Sequence, residues 1–260
     1  MPGLTQLITD HWPNTVIFLL VLGRTAGLLT SAPFWGGKMA PGLVRIVVTV
    51  IVTAVIYPLV TVPSRFSVVP SDIALFLALA GEVLVGLLLG WMAQFLFVGM
   101  RLAGQLVEIK TGLGLAQLID PQEGSQTTFF SLLFDLLAVM VFLSVNGHYL
   151  LIHALVSSYS LVPLADGNLF ITLVKGVVMS AGTIFTIALQ VSAPIMVGLL
   201  LSDIMLAIIA RAIPQLNLFS VAPPLQLAFA MLLFLFSLPT LVWFCVNHLS
   251  ALSVVPGSGR

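Results

Sequence analysis

Charge is scarce in this chain. Only 7% of its 260 residues are Asp, Glu, Lys or Arg, nine basic and nine acidic, where a soluble domain carries about a quarter. That deficit excludes an ordinary soluble domain. The net charge of zero supplies no basic face for nucleic acid. No charge falls between Arg211 and Arg260. Cysteine is rarer still, and the single Cys245 excludes an internal disulfide. No Lys or Arg precedes Arg24, so the first apolar run lacks the basic flank of a cleaved signal peptide and is expected to be retained. Strict apolar–polar alternation is missing, which argues against a transmembrane β-barrel.

Catalytic signatures are missing as well. There is no HExxH, GxSxG or Walker A pattern, and GLGLAQ (112–117) lacks the preceding strand of a dinucleotide fold. His148 and His153 lie five apart, off the shared face of a helical metal pair. Cys245 and His248 are at i, i+3, but two ligands without partners make no metal site. Neither an enzyme nor a cofactor or metal is expected.

What is there is apolar. Hydrophobic residues make up 60% of the chain, with a mean hydropathy of +1.19. Runs at 14–32, 43–62, 73–100, 129–145, 148–162, 169–201 and 225–251 approach or exceed the roughly 20 residues that cross a hydrocarbon core as helix. The sequence predicts an all-α polytopic membrane protein, one membrane-embedded domain over 1–260 with about six to seven hydrophobic helices. The sixth run is expected to break at Pro194. Pro214, Pro223 and Pro224 are expected to prevent a continuous helix through ARAIPQLNLFSVAPPLQL (210–227). Asn146-Gly147 is expected to turn one helix into an antiparallel partner. Lys and Arg counted by alternate loops (Lys38, Arg45, Arg101, Lys110, Lys175 and Arg260 against Arg65 and Arg211) put the N-terminus outside and the central stretch in the cytoplasm.

That central stretch, RLAGQLVEIKTGLGLAQLIDPQEGSQTT (101–128), holds Arg101, Glu108, Lys110, Asp120 and Glu123. Asp120, Pro121 and Glu123 form a capping-box pattern that starts the next helix. Gly112 and Gly114 loosen the helical pattern before it. Arg24, Glu82 and Asp135 lie inside apolar runs, where each charge costs about 2.5–3.5 kcal/mol at a helix centre. A proton relay is one reading. Helix packing or subunit contact is the better one, with Arg24 paired to Glu82 or Asp135. Gly23–Gly27 and Gly86–Gly90 have the spacing that lets helix backbones approach closely.

Arg24 with the following SAPFWG, GMRLAGQLVEIKTGLGLAQLIDP (99–121), LSVNGHYLLIHALVSSYSLVPL (143–164) and ARAIPQLNLFSVAPPLQL, in that order and spacing, resemble the FliR family of type III secretion export-apparatus proteins. The resemblance covers most of the chain. It implies kinked helical hairpins in a helical multi-subunit export gate, in the bacterial inner membrane at the flagellar basal body. It implies FliP- and FliQ-type subunits as pore partners, an FlhB-type chain around them, and unfolded flagellar axial proteins as substrates, driven by proton-motive force and a cytosolic ATPase. By the same resemblance, a central loop at about 106–121 plugs the closed pore. Its candidate residues are Lys110, Gly112, Leu113, Gly114, Leu115, Gln117, Leu118 and Ile119, in which leucines exclude water and glycines allow movement. The same role in a virulence injectisome is the near alternative. A stand-alone secondary transporter is the alternative from another class, although the halves show no repeat of the kind such folds carry.

Overall fold

A computed structural model of the chain describes residues 2–33, 41–60, 72–113, 129–164, 167–213 and 218–253. Every regular element among them is helical. The helices are α1 (Pro2–Ser31), α2 (Gly42–Ile56) with a short 3-10 turn at Tyr57–Leu59, α3 (Asp72–Thr111), α4 (Phe129–Ser144), α5 (Gly147–Leu161), α6 (Gly167–Ala181), α7 (Thr183–Ala212) and α8 (Leu218–Ser253). The chain is an all-α polytopic membrane protein. Among the described residues five stretches are long and apolar enough to span, or six when α4 and α5 count as one bent span. The expected six to seven hydrophobic helices meet that range at six. At 16 and 15 residues, α4 and α5 are each too short to cross about 30 Å of hydrocarbon alone.

The third run does not stop at Met100. It continues as one 40-residue helix to Thr111, so Arg101, Glu108 and Lys110 are helical. At 1.5 Å per residue α3 is about 60 Å long. Fitting it within one hydrocarbon layer would need a tilt of about 60°, beyond the range seen for transmembrane helices. Part of α3 therefore lies outside the hydrocarbon.

Proline positions also correct the sequence reading. Pro194 sits inside an unbroken α7, and α6 and α7 are separated only at Gly182, whose backbone stays helical at φ −60° and ψ −24°. Pro223, Pro224 and Pro239 lie inside α8. Each proline removes one backbone donor. In a packed membrane helix, neighbouring groups satisfy the freed carbonyl and the helix survives. Glycine at 182 has no side chain to pack and weakens a helix by its backbone freedom. Pro214 lies outside the described residues, as does the capping box at Asp120–Glu123.

By packing the chain divides into two compact units. The first comprises the described residues of 1–94 and 147–181. In it α1 presents Val16, Ile17, Leu20, Val21 and Leu28 on one helical face, buried with Ile56, Leu155 and Leu164. That spacing is the 3.6-residue period of an amphipathic helix. Gly27 and Gly86 permit the α1–α3 crossing. A Cβ on Gly86 would meet the Arg24 carbonyl oxygen and lie 2.8 Å from the Leu28 nitrogen. One on Gly27 would meet the Val83 oxygen and lie 3.0 Å from the Leu87 nitrogen. The expected close approach is real, with Gly27 and Gly86 at the crossing, Gly23 against Leu79 and Gly90 against Ser31.

The second unit comprises Phe95–Asn146 and Gly182–Val254. Here α8 packs on α7 and α4. Phe134 and Phe234 meet edge to face at 5.1 Å, as do Phe97 and Phe142 at 5.5 Å. Asn146 is in the left-handed region at φ 56°, but the expected antiparallel hairpin does not form, because the break bends the chain by 68° without reversing it. The helices on either side then pack with other elements: α4 against α8, and α5 into the core shared with α1.

Candidate functional site

The described part of the central stretch is a helix end with polar anchors. Lys110 is the basic residue of the last turn of α3, where a cation suits the helix dipole. Gly112 follows at φ +78°, a conformation that glycine adopts without a Cβ penalty. Its N–H donates to the Ile109 carbonyl at 3.3 Å. The Thr111 hydroxyl donates to the Glu108 carbonyl at 3.0 Å. Leu113 is half-buried. Gly114, Leu115, Gln117, Leu118 and Ile119 lie outside the described residues.

Three side chains fasten this helix end. The Lys110 ammonium donates to Asp203 Oδ2 on α7. The Gln226 side-chain amide on α8 donates to Asp203 Oδ1 at 2.6 Å, so both carboxylate oxygens are engaged. One turn earlier, Glu108 Oε1 accepts the N–H of Phe129, the first described residue of α4, at 2.9 Å. A carboxylate at a helix N-terminus is favourably placed against the dipole. Higher on α3, Arg101 donates to Asp135 Oδ1 of α4 at 2.9 Å. These side chains are 45% and 21% exposed, so that pair contributes about 0–1 kcal/mol.

Asp203 and Gln226 are absent from the sequence-derived candidates. The sixth apolar run ends at 201, which leaves Asp203 outside it. Gln226 lies in the proline-rich segment 210–227, where the prolines alone carry the sequence expectation. The available signal was the lone carboxylate in LLLSDIMLAIIA (199–210), a costly residue to place in an apolar helix without a partner.

In the other unit Arg24 is fully buried, and Glu82 is 2% exposed. Arg24 Nε donates to Glu82 Oε2 at 2.6 Å. Nη1 donates to Ser158 Oγ and Nη2 to the Val162 carbonyl, both at 3.1 Å. The Tyr159 ring lies 4.3 Å from the guanidinium carbon, close enough for a cation–π contact. Ser158 passes its own hydrogen to the Leu155 carbonyl at 2.6 Å. One side chain on α1 thus joins α3, α5 and the carbonyl just past the end of α5. Of the two acidic partners expected for Arg24, it meets Glu82, while Asp135 is held by Arg101. A guanidinium keeps its proton in proteins. Arg24 itself therefore joins helices and passes on no proton.

The bacterial export protein family model, described as "Bacterial export proteins, family 1", matches residues 15–252. The chain is 29% identical over 249 residues to the flagellar biosynthetic protein FliR of Escherichia coli (strain K12), covering 94% of this chain and 92% of that one. It is 28% identical over 254 residues to the FliR of Bacillus subtilis (strain 168), covering 95% and 94%. The surface presentation of antigens protein SpaR of Shigella sonnei is 26% identical over 219 residues, covering 83% and 84%. With the match running nearly end to end and FliR proteins aligned over more than nine-tenths of their length, the chain belongs to the bacterial export proteins of family 1, the FliR family.

Proposed function

We propose that the chain is a pore-forming core subunit of the flagellar type III secretion export gate. It assembles in the inner membrane with FliP-, FliQ- and FlhB-type subunits and passes unfolded flagellar axial proteins. The observation that carries this reading is the family match over residues 15–252, with flagellar FliR proteins at 27–29% identity in three distant bacteria. The abrupt end of α3 supports it. A left-handed Gly112 after a fastened last turn releases the chain into GLGLAQLI (112–119), whose leucines suit a seal that excludes water. In this reading Gly112, Leu113, Gly114, Leu115, Gln117, Leu118 and Ile119 form the plug, while Arg24–Glu82 and Arg101–Asp135 each fasten helices within their own unit.

The SpaR relative, at 26% identity, favours the second reading, an injectisome export apparatus. Flagellar or virulence neighbours of the gene separate the two. Purification of the tagged chain tests the assembly itself: co-isolation of two small hydrophobic subunits is expected, and a stable chain isolated alone would point to a stand-alone transporter. Deleting residues 112–117 in the assembled gate should raise ion leakage. Unchanged conductance would refute the plug.

A further inference from the structure

Two of the interhelical ion pairs among the described residues are of opposite character. Arg24–Glu82 is sealed, with side chains 0% and 3% exposed, whereas the Lys110 and Asp203 side chains are 28% and 34% exposed. The second pair is only partly covered by its own chain and has fewer surrounding contacts to break, so it opens more readily than a pair enclosed on all sides. Lysine adds to this, because its ammonium is a point charge on a flexible stem, not a planar fork locked by several acceptors. The pair also sits where release has a consequence. Lys110 is in the last turn of α3, Gly112 with its left-handed backbone is two residues on, and Asp203 and Gln226 belong to the closely packed α7–α8 pair.

We infer that Lys110, Asp203 and Gln226 form a releasable latch that positions the end of α3, and with it the departure of the chain at Gly112, in the closed gate. This rests on the plug reading above. It reassigns Lys110 from the seal to its anchorage, and it adds Asp203 and Gln226 as positioning residues on helices the plug does not include. Engaged, the latch ties α3 to α7 and α8 through both oxygens of one carboxylate. Released, α3 loses this fastening at its last turn, and the direction of the following segment is no longer set.

Full-length variants assembled with their partner subunits in cells test this, with ion leakage, substrate secretion and membrane level of the chain read together. Asp203→Ala and Gln226→Ala are expected to raise leakage several-fold at unchanged chain level with secretion retained. The charge-exchanged pair Lys110→Glu with Asp203→Lys is expected to return leakage towards the parent value. A purely structural role would instead lower chain level and secretion together. Where Asp203→Ala does not accumulate, Asp203→Asn serves, since it keeps the shape and an acceptor for Gln226 and removes the charge. Parent-level leakage in all single variants, beside a leaky 112–117 deletion, overturns the latch and leaves the plug standing. A charge-exchanged pair as leaky as the single variants overturns the latch in the same way. A non-leaky 112–117 deletion overturns the plug, and the latch with it.

Discussion

Arg24 connects three segments that hydropathy alone would leave to pack by shape. Its donors reach Glu82, Ser158 and the Val162 carbonyl, with Tyr159 against the guanidinium. Removing one member of a buried pair strands the other charge, at a cost of about 3–5 kcal/mol. Arg24→Ala and Glu82→Ala are therefore expected to destabilise the detergent-solubilised chain by that amount in thermal unfolding. Arg24→Lys should recover only part of it, because an ammonium cannot span three acceptors in a planar fork. The double change Arg24→Met with Glu82→Met should cost less than either alanine change alone. An additive double variant would show that the two residues act independently.

Glycines on the same helices separate into two kinds. At Gly86 an added methyl meets backbone atoms of α1, whereas at Gly81 nothing lies within 4 Å. Gly86→Ala is expected to lose about 1–3 kcal/mol through forced backbone movement. Gly81→Ala should be neutral or stabilising by up to about 1 kcal/mol, through helix propensity. Equal melting temperatures for the two variants would contradict the close crossing.

Among the elements, α3 departs most from its reading in the sequence. Its apolar pattern is legible to Met100, and then Arg101, Gln105, Glu108 and Lys110 imitate a loop. They are helical because each long polar side chain finds solvent or a partner on another helix, as Arg101 does at Asp135 and Lys110 at Asp203. Composition reports the side chains, and the helix follows from where those side chains can reach. Proline misled in the opposite direction in α7 and α8, where packing outweighs a missing donor. The end of α3 depends on one backbone conformation. Gly112 has open space around its Cβ position, so Gly112→Ala tests backbone strain alone. It is expected to cost about 1–2 kcal/mol, and Gly112→Asn less, since asparagine tolerates the left-handed cap. Thermal unfolding checks both, and equal losses would argue against a left-handed Gly112.

At the scale of the whole molecule, α2 defines an apolar exterior. Leu43, Ile46, Val50, Ile51 and Val55 are 78%, 62%, 44%, 57% and 65% exposed, an arrangement a protein in water would not sustain. In hydrocarbon that surface is at home. Ile51→Asp, near the middle of this span, is expected to cost about 2.5–3.5 kcal/mol of insertion, read as reduced membrane integration in a glycosylation-mapping assay. The same exchange at Gln105, on the polar part of α3, should have little effect. Full integration of Ile51→Asp would mean that this face meets water.

The sequence by itself determined the class of the molecule. With so little charge and so much apolar length, only helices satisfy their own backbone in a membrane, and ordered motifs along the chain carried the family. The spacing of its glycines also marked the α1–α3 crossing. Only the tertiary structure decided which charges are partners. Arg24 with Glu82, Arg101 with Asp135, and Lys110 with Asp203 and Gln226 are separated along the chain by between 23 and 93 residues. Nothing in a local pattern encodes such distances. A buried charge announces that it needs a partner, and the packing of the helices chooses which one.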